Sequence, residues 1–350
     1  MDGIRIGDRK IGLGHKPFVI AEMSGNHNQS LDRALEIVDA AAKAGAHALK
    51  IQTYTAETMT LDVDHGEFFI SDPGSLWKGK SLFALYQEAC TPWEWHKPIF
   101  QRCRELGLIA FSTPFDASSI DFLESLGAPC YKIASFENNW PDLIRKVAST
   151  GKPVIISTGM ASLPELEEAV SAARESGCKE LALLKCTSSY PSTPENTNLR
   201  TIPDLRRLFG CEVGLSDHTG GVGAAVASIA LGATIIEKHF TLSRADGGVD
   251  SAFSLEPEEM RMLVIETERA WQSLGNVFYG PTESEKKSLV FRRSLYISCD
   301  LEPGDVLTKD NVRVIRPGLG LPPRDLDRVL GKKLNRKVKK GTPVTWEIIG

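Results

Sequence analysis

The sequence predicts a (β/α)₈ barrel followed by a small β-rich domain. Three observations carry this. Amphipathic stretches ending in glycine alternate with short apolar runs through the first 240 residues. The alternation yields eight strands, a number that closes a barrel of roughly 250 residues. From Arg292 onward the texture changes to short β-like runs separated by Pro-Gly turns.

The first strand is the apolar run 18–21. Each of the other seven follows a glycine: Gly45 before 48–52, Gly107 before 108–112, Gly127 before 130–133, Gly151 before 154–157, Gly177 before 181–186, Gly210 before 212–215 and Gly232 before 235–239. Glycine accepts the left-handed conformation that closes a helix, and a buried parallel strand reads as an unbroken apolar run. The helical half is clearest after Ser30, a capping residue: Leu31, Leu35, Val38 and Ala42 share a face, and Gly45 ends the helix. An open doubly wound sheet is the alternative, but no G-x-G-x-x-G follows the first strand. The segment between Gln52 and Gly107 exceeds one loop and one helix. It carries Tyr54, Trp77, Trp93 and Trp95 and reads as a substrate-covering excursion. Residues 256–274 read as the closing helix. The expected boundaries are thus a barrel over 1–275, a linker over 276–291 and the small domain over 292–350. A module of under 60 residues is marginal alone and is expected to dock on something.

A net charge of −4 gives no electrostatic case for nucleic acid or an anionic membrane, and the basic run 332–340 reads as a solvated surface. The N-terminal decapeptide has charges where a signal peptide needs an apolar core, and no apolar stretch approaches the roughly 20 residues of a membrane span. Seven cysteines without C-x-x-C spacing fit reduced thiols, so a cytoplasmic location is expected. Cys130 and Cys186, in apolar runs, read as core residues.

In such a barrel the chemistry sits at the C-terminal ends of the strands. There the sequence places Glu22; Lys50 and Gln52; Ser112 and Thr113; Lys132, Ser135 and Glu137; Ser157 and Thr158; Lys185, Thr187 and Ser188, with Tyr190 beyond; Ser216, Asp217 and His218; and Glu237, Lys238 and His239. A lysine taken alone reads as a rim salt-bridge partner. Two or three converging with hydroxyls form a pocket for a phosphate and a carboxylate. His218 and His239 end neighbouring strands, where two imidazoles can bind one divalent ion and leave positions open for water or substrate. His27 is a third candidate; His15, His47, His65 and His96 read as structural or exposed. Glu22 and Glu137 are acid/base candidates, or ion-pair partners of Lys50 and Lys132.

These residues lie in motifs that resemble the sialic acid synthase family. The matching segments include VIAEMSGNHNQSL (19–31), KAGAHALKIQTYT (43–55), FSTPFD (111–116), YKIASFENN (131–139), ISTGMA (156–161), LKCTSSYP (184–191), VGLSDHTGG (213–221), LGATIIEKHFTL (231–242) and FSLEP (253–257), with RRSLY (292–296) and RPGLG (316–320) in the small domain. The resemblance implies a metal-dependent, C–C bond-forming transferase with a C-terminal antifreeze-like (SAF) domain. It also implies a homodimer in which each SAF domain covers the partner's barrel. Lys50, Thr113, Lys132, Ser135, Ser188 and Ser216 would hold phosphoenolpyruvate, Ser188 departing from the asparagine of some members. His218 and His239 would bind the divalent metal, Mn²⁺ or a substitute such as Mg²⁺ or Co²⁺. Glu22, Gln52, Tyr190, Asp250 and Phe291 would line the site of an acylated amino sugar, with Arg316 entering from the partner.

The wording AEMSGNHN differs from the AEIGxNHNG pattern of neuraminate synthases, and QTYT, YKIASFE, LKCTSSYP and GLSDHTGG resemble the pseudaminate branch. That branch condenses phosphoenolpyruvate with open-chain 2,4-diacetamido-2,4,6-trideoxy-altrose and releases phosphate by C–O cleavage. Formation of N-acetylneuraminate or legionaminate by the same chemistry, and a Schiff-base pyruvate aldolase using Lys132, are the alternatives. A carbohydrate-binding scaffold leaves the two histidines unexplained.

Overall fold

The protein is described here from a computed structural model covering residues 3–350. The first compact unit ends at Gly275, and the second spans Asn276–Gly350. The chain opens with an antiparallel hairpin, β1 (Ile4–Ile6) and β2 (Arg9–Ile11). Eight parallel strands follow: β3 (Phe18–Glu22), β4 (Ala48–Thr53), β5 (Ile109–Pro114), β6 (Tyr131–Ile133), β7 (Val154–Ser157), β8 (Leu181–Cys186), β9 (Glu212–Asp217) and β10 (Ile235–His239). They form a closed barrel in which β10 pairs with both β9 and β3.

Two apolar layers hold the barrel. The outer one packs strand residues such as Val19, Leu49, Ile133 and Val213 against the surrounding helices. The inner one gathers Phe18, Ile20, Ala48, Phe111, Ile155, Ala182, Leu184 and Ile235 with Ile4, Ile6 and Ile11 of the hairpin. The hairpin thus closes the end where the strands begin. Full burial of each such isoleucine or phenylalanine contributes roughly 1.5–3 kcal/mol.

The helix Leu31–Ala44 starts and stops where expected. The Ser30 hydroxyl accepts from Arg33 N, and Gly45 adopts φ 88°. Its buried face is rotated from the expected one: Ala34, Ile37, Val38, Ala41 and Ala44 are buried, while Leu31, Leu35 and Ala42 flank them. Small alanines let this helix approach the sheet closely, so they take the inner positions.

The excursion between β4 and β5 contains the short helices Ala56–Met59 and Leu82–Ala89 and then the helix Trp93–Glu105. Of the four aromatics singled out there, Trp77 reaches the barrel mouth: its indole donates to Val249 O (2.8 Å) and its ring lies 6.3 Å from that of Tyr190. Trp93 stacks on Phe122, Trp95 packs on His27, and Tyr54 is buried against Phe115. His47 and His96 are structural as expected. The first accepts from Val19 N (2.9 Å), and the second bonds the Thr53 hydroxyl (2.7 Å).

In the second unit, β11 (Ser294–Ile297) and β12 (Val312–Ile315) pair antiparallel over a core of Leu295, Ile297, Leu307, Val312, Val329, Leu334, Val338, Val344 and Ile348. The end of the expected linker is ordered within this unit. Residues Lys286–Phe291 form a 3₁₀ helix, and Gly318 N donates to Val290 O (2.8 Å). No helix among the described residues is long and apolar enough to cross a membrane.

Candidate active site

Side chains alternate along a strand, and in this barrel the inward set changes character with height. On β3 the inward residues run Phe18, Ile20, Glu22; at β6, Cys130 just before the strand and then Lys132 on it; on β7, Ile155, Ser157; on β10, Ile235, Glu237, His239. An apolar floor therefore gives way to a polar, charged layer at the strand ends.

Two buried lysines anchor that layer. The Lys50 ammonium pairs with Glu22 (2.7 Å), donates to the Thr113 hydroxyl (3.2 Å) and lies 3.8 Å from Glu237. Lys132 donates to the Ser157 hydroxyl (2.6 Å) and lies 3.7 Å from the same Glu237 oxygen, which also accepts from Ser216 (3.2 Å). Burial opposes charge on both lysines. For Lys50 the carboxylates of Glu22 and Glu237 more than compensate, raising its pKa; Lys132, with Lys50 nearby, is lowered. Burial likewise opposes the Glu237 charge, yet Lys132 and Lys50 hold it below the usual carboxylate range. Glu22 is raised by burial, with Glu237 adding to the effect against Lys50. Lys185 and Lys238 do not join this cluster. The first bonds Cys186 O and Thr187 on its own segment, and the second pairs with Asp217.

Beside Lys132, Ser135 and Ser188 face a glycine. The Ser135 hydroxyl accepts from Gly159 N (3.2 Å), and a Cβ at Gly159 would fall 2.2 Å from Ser188 Oγ and 2.6 Å from Ser135 Oγ. The missing side chain leaves a cradle lined by two hydroxyls, suited to an anion. Glu137, on the same loop as Ser135, has a buried Oε2 without a hydrogen-bond partner. Burial pushes its pKa up to about 7 against the pull of Lys132.

Above the lysines stand the two histidines, ring centroids 5.3 Å apart. His218 Nδ1 donates to the Thr187 carbonyl (3.0 Å), which leaves Nε2 free to coordinate. Nδ1 of His239 is buried without a partner, and burial, with His218 beside it, holds the His239 pKa well below the ordinary value. Burial opposes charge on His218 too, but the Cys186 thiol beside it raises its pKa above the ordinary value. Imidazole nitrogens left without partners fit a divalent ion, which displaces any proton on the ligating nitrogen as it binds. Among the described residues no group of three His, Cys, Asp or Glu side chains could cage a metal. A bound ion would therefore rest on these two imidazoles and complete its shell with water or substrate. His27 does not supply a third ligand: its Nδ1 accepts from Gln29 N and its Nε2 meets the Thr91 hydroxyl.

Tyr190 and Phe253 wall the histidines, at 4.6 Å from His218 and 4.9 Å from His239 respectively. On the opposite side, Gln52 donates to Glu22 (3.0 Å) and to Ser24 (2.8 Å), whose hydroxyl in turn bonds the buried Asp250. Phe291 and Arg316 belong to the second unit, Phe291 closing the helix Lys286–Phe291 and Arg316 following β12. Sequence reading gives no role to Glu237, Ser24 or Phe253. Glu237 is nevertheless signalled by its position two residues before His239, on the same face of β10.

The chain matches the NeuB family over residues 37–279 and the SAF domain over residues 292–349. It is 43% identical over 326 residues to a pseudaminic acid synthase of Campylobacter jejuni, covering 93% of this chain and 94% of the relative. A pseudaminic acid synthase of Helicobacter pylori is 41% identical over 335 residues, covering 95% and 98%. The crystal structure of an N-acetylneuraminic acid synthetase from Leptospira borgpetersenii, 34% identical, superposes with a TM-score of 0.72 over 82% of this chain and 94% of that one.

Proposed function

Since the chain belongs to the NeuB family, we propose that it condenses phosphoenolpyruvate with open-chain 2,4-diacetamido-2,4,6-trideoxy-altrose, giving pseudaminic acid and phosphate. The observation that carries this reading is one barrel mouth holding two buried lysines, a hydroxyl-lined cradle and a pair of free imidazoles. The similarity to two pseudaminic acid synthases supports the choice of sugar.

Lys50, Lys132 and the hydroxyls of Thr113, Ser135, Ser188 and Ser216 hold the phosphate and carboxylate of phosphoenolpyruvate and fix its C3 toward the sugar aldehyde. His218 and His239 would hold a divalent ion, Mn²⁺ with Mg²⁺ or Co²⁺ as substitutes, which supplies Lewis-acid polarisation of that aldehyde. Gln52, Glu22, Asp250 and Tyr190 orient the sugar chain. As C3 bonds to the aldehyde carbon, positive charge develops at C2, where the buried Glu22 and Glu237 carboxylates favour it. Glu137, with a pKa of about 7, removes a proton from the water that adds at C2. The proton taken by Glu137 goes on to the former aldehyde oxygen, which C–C bond formation has left as an alkoxide. The C2–O bond to phosphate then breaks, its electron pair leaving with phosphate held by the lysines, while the C2 hydroxyl gives up its proton to the departing phosphate and becomes the product ketone. Phe291 and Arg316 complete the sugar site from the second copy of a homodimer.

The test is phosphate release from phosphoenolpyruvate with a panel of amino sugars, before and after chelation. The altrose derivative should turn over fastest, chelation should stop it, and Mn²⁺ should restore it. Equal or faster turnover of N-acetylmannosamine moves the assignment to neuraminate formation. Borohydride trapping of pyruvate on Lys132, without phosphate release, establishes the aldolase instead.

A further inference from the structure

Directly behind the two histidines lies a buried ion pair that the reaction does not use. The Lys238 ammonium donates to Asp217 Oδ2 and to the Thr219 carbonyl, both at 2.6 Å, and both charged side chains are fully excluded from solvent. Asp217 Oδ1 accepts from the Thr219 amide (2.9 Å) and hydroxyl (2.8 Å). Asp217 immediately precedes His218, and Lys238 immediately precedes His239. The two are also register partners, the last paired positions of β9 and β10. Alternation turns Ser216, Glu237 and His239 into the barrel mouth and sends Asp217 and Lys238 to the helix side.

We propose that Asp217 and Lys238 are positioning residues that clamp the ends of β9 and β10 together and so set the spacing of the two metal-binding imidazoles. The inference rests on the metal reading above. A site with two protein ligands has no third to correct their separation, so affinity depends on how firmly the strand ends are held. Burying two charges is a poor route to stability, because desolvation offsets most of their attraction. Fixing geometry is a role that an apolar pair cannot fill, since dispersion contacts have no direction. Groups behind metal ligands have this effect elsewhere, where their loss weakens metal affinity about 10–100-fold.

The experiment compares full-length, metal-stripped wild type with Asp217→Asn/Lys238→Met, Asp217→Glu and Lys238→Arg. The double variant keeps the acceptor for Thr219 and the side-chain volume while removing both charges. Mn²⁺ affinity is read by titrating free Mn²⁺ with electron paramagnetic resonance, and Tm is recorded alongside. We expect the double variant to bind Mn²⁺ about tenfold or more weakly with its Tm held within a few degrees. Asp217→Glu, which keeps the charges but lengthens the clamp, should weaken Mn²⁺ in the same sense, and Lys238→Arg should come nearest to wild type. Wild-type affinity in the folded double variant, or in Asp217→Glu should the double variant not fold, overturns the clamp while leaving the metal site standing. Failure of wild type itself to bind Mn²⁺ overturns both.

Discussion

Replacing Glu137 by glutamine should make the protein more stable and far less active, with both effects governed by pH. The carboxyl has a pKa of about 7 in the fold against an ordinary 4.5. Between those values the folded state binds a proton that the unfolded state has released, so wild-type stability falls as pH rises through that window. At about 1.4 kcal/mol per pKa unit, the fall is on the order of 3 kcal/mol. Glutamine carries no such charge. The stability advantage of Glu137→Gln over wild type should therefore grow by about 3 kcal/mol from pH 4.5 to pH 8 and then level off. Urea unfolding of both proteins across that range measures it. Wild-type kcat/KM should rise about tenfold per pH unit below 7 and flatten above, since the base must be ionised. Phosphoenolpyruvate bound at Lys132 weakens the lysine's pull on Glu137, so the limb in kcat should lie at higher pH than the limb in kcat/KM. The variant should lose that limb and about 10²–10⁴ in rate. Parallel stability curves for the two proteins, or an unchanged limb in the variant, would refute this account of Glu137.

Gly159→Ala should raise the KM for phosphoenolpyruvate at least several-fold with little change in sugar KM, because a Cβ there enters the Ser135–Ser188 cradle; steady-state kinetics varying each substrate in turn will decide. Ser24→Gly separates strain from function. Ser24 sits at φ 48°, a left-handed conformation costing roughly 1–2 kcal/mol, and relief of that strain is offset by about 0.5–1 kcal/mol from the more flexible unfolded chain. Loss of the hydroxyl also takes a hydrogen bond from the buried Asp250 and from Gln52, at roughly 1–3 kcal/mol, so the variant's Tm should hold or fall while the sugar KM increases, and an unchanged KM counts against the Gln52–Ser24–Asp250 chain as a sugar contact. If the proposed homodimer shares its sites between chains, mixing Glu22→Gln with Arg316→Ala should restore about a quarter of wild-type activity after subunit exchange, because one site in each mixed dimer would then have both parts intact. Efficient exchange without recovery excludes a shared site.

The barrel was readable because its strands are fully buried and its helices end in glycine, two signals that survive without tertiary information. The polar mouth was readable for the same reason that the floor was: every second residue of a strand faces inward, so Lys50, Lys132, His218 and His239 stand at predictable heights. Proximity across the barrel was less legible. Glu237 bridges Lys50 and Lys132 from a third strand, and only the closure of β10 onto β9 and β3 brings it between them. Lys185 and Lys238 resemble the other strand-end lysines in sequence yet lie on the outward register, a parity distinction that strand-end reading alone passes over. Phe253 and Ser24 come from irregular loops, where no period assigns a direction to the side chain. The N-terminal hairpin is hard to read because each strand is only three residues long, too short for the alternation of Ile4, Ile6 and Ile11 to stand out among the charged residues between them.

That hairpin offers a window on the motions of the barrel. Two short strands alone are marginal in water, so β1 and β2 owe their order to the floor on which Ile4, Ile6 and Ile11 rest. Their ladder amides should exchange with deuterium only when the plug lifts from the barrel or the barrel itself opens. The protection of this one segment thus registers the cohesion of eight strands to which it does not belong, and from the end opposite the chemistry. A ligand that tightens the mouth should slow exchange at Ile4 and Ile11 if the barrel breathes as a unit, and leave it untouched if the two ends loosen independently.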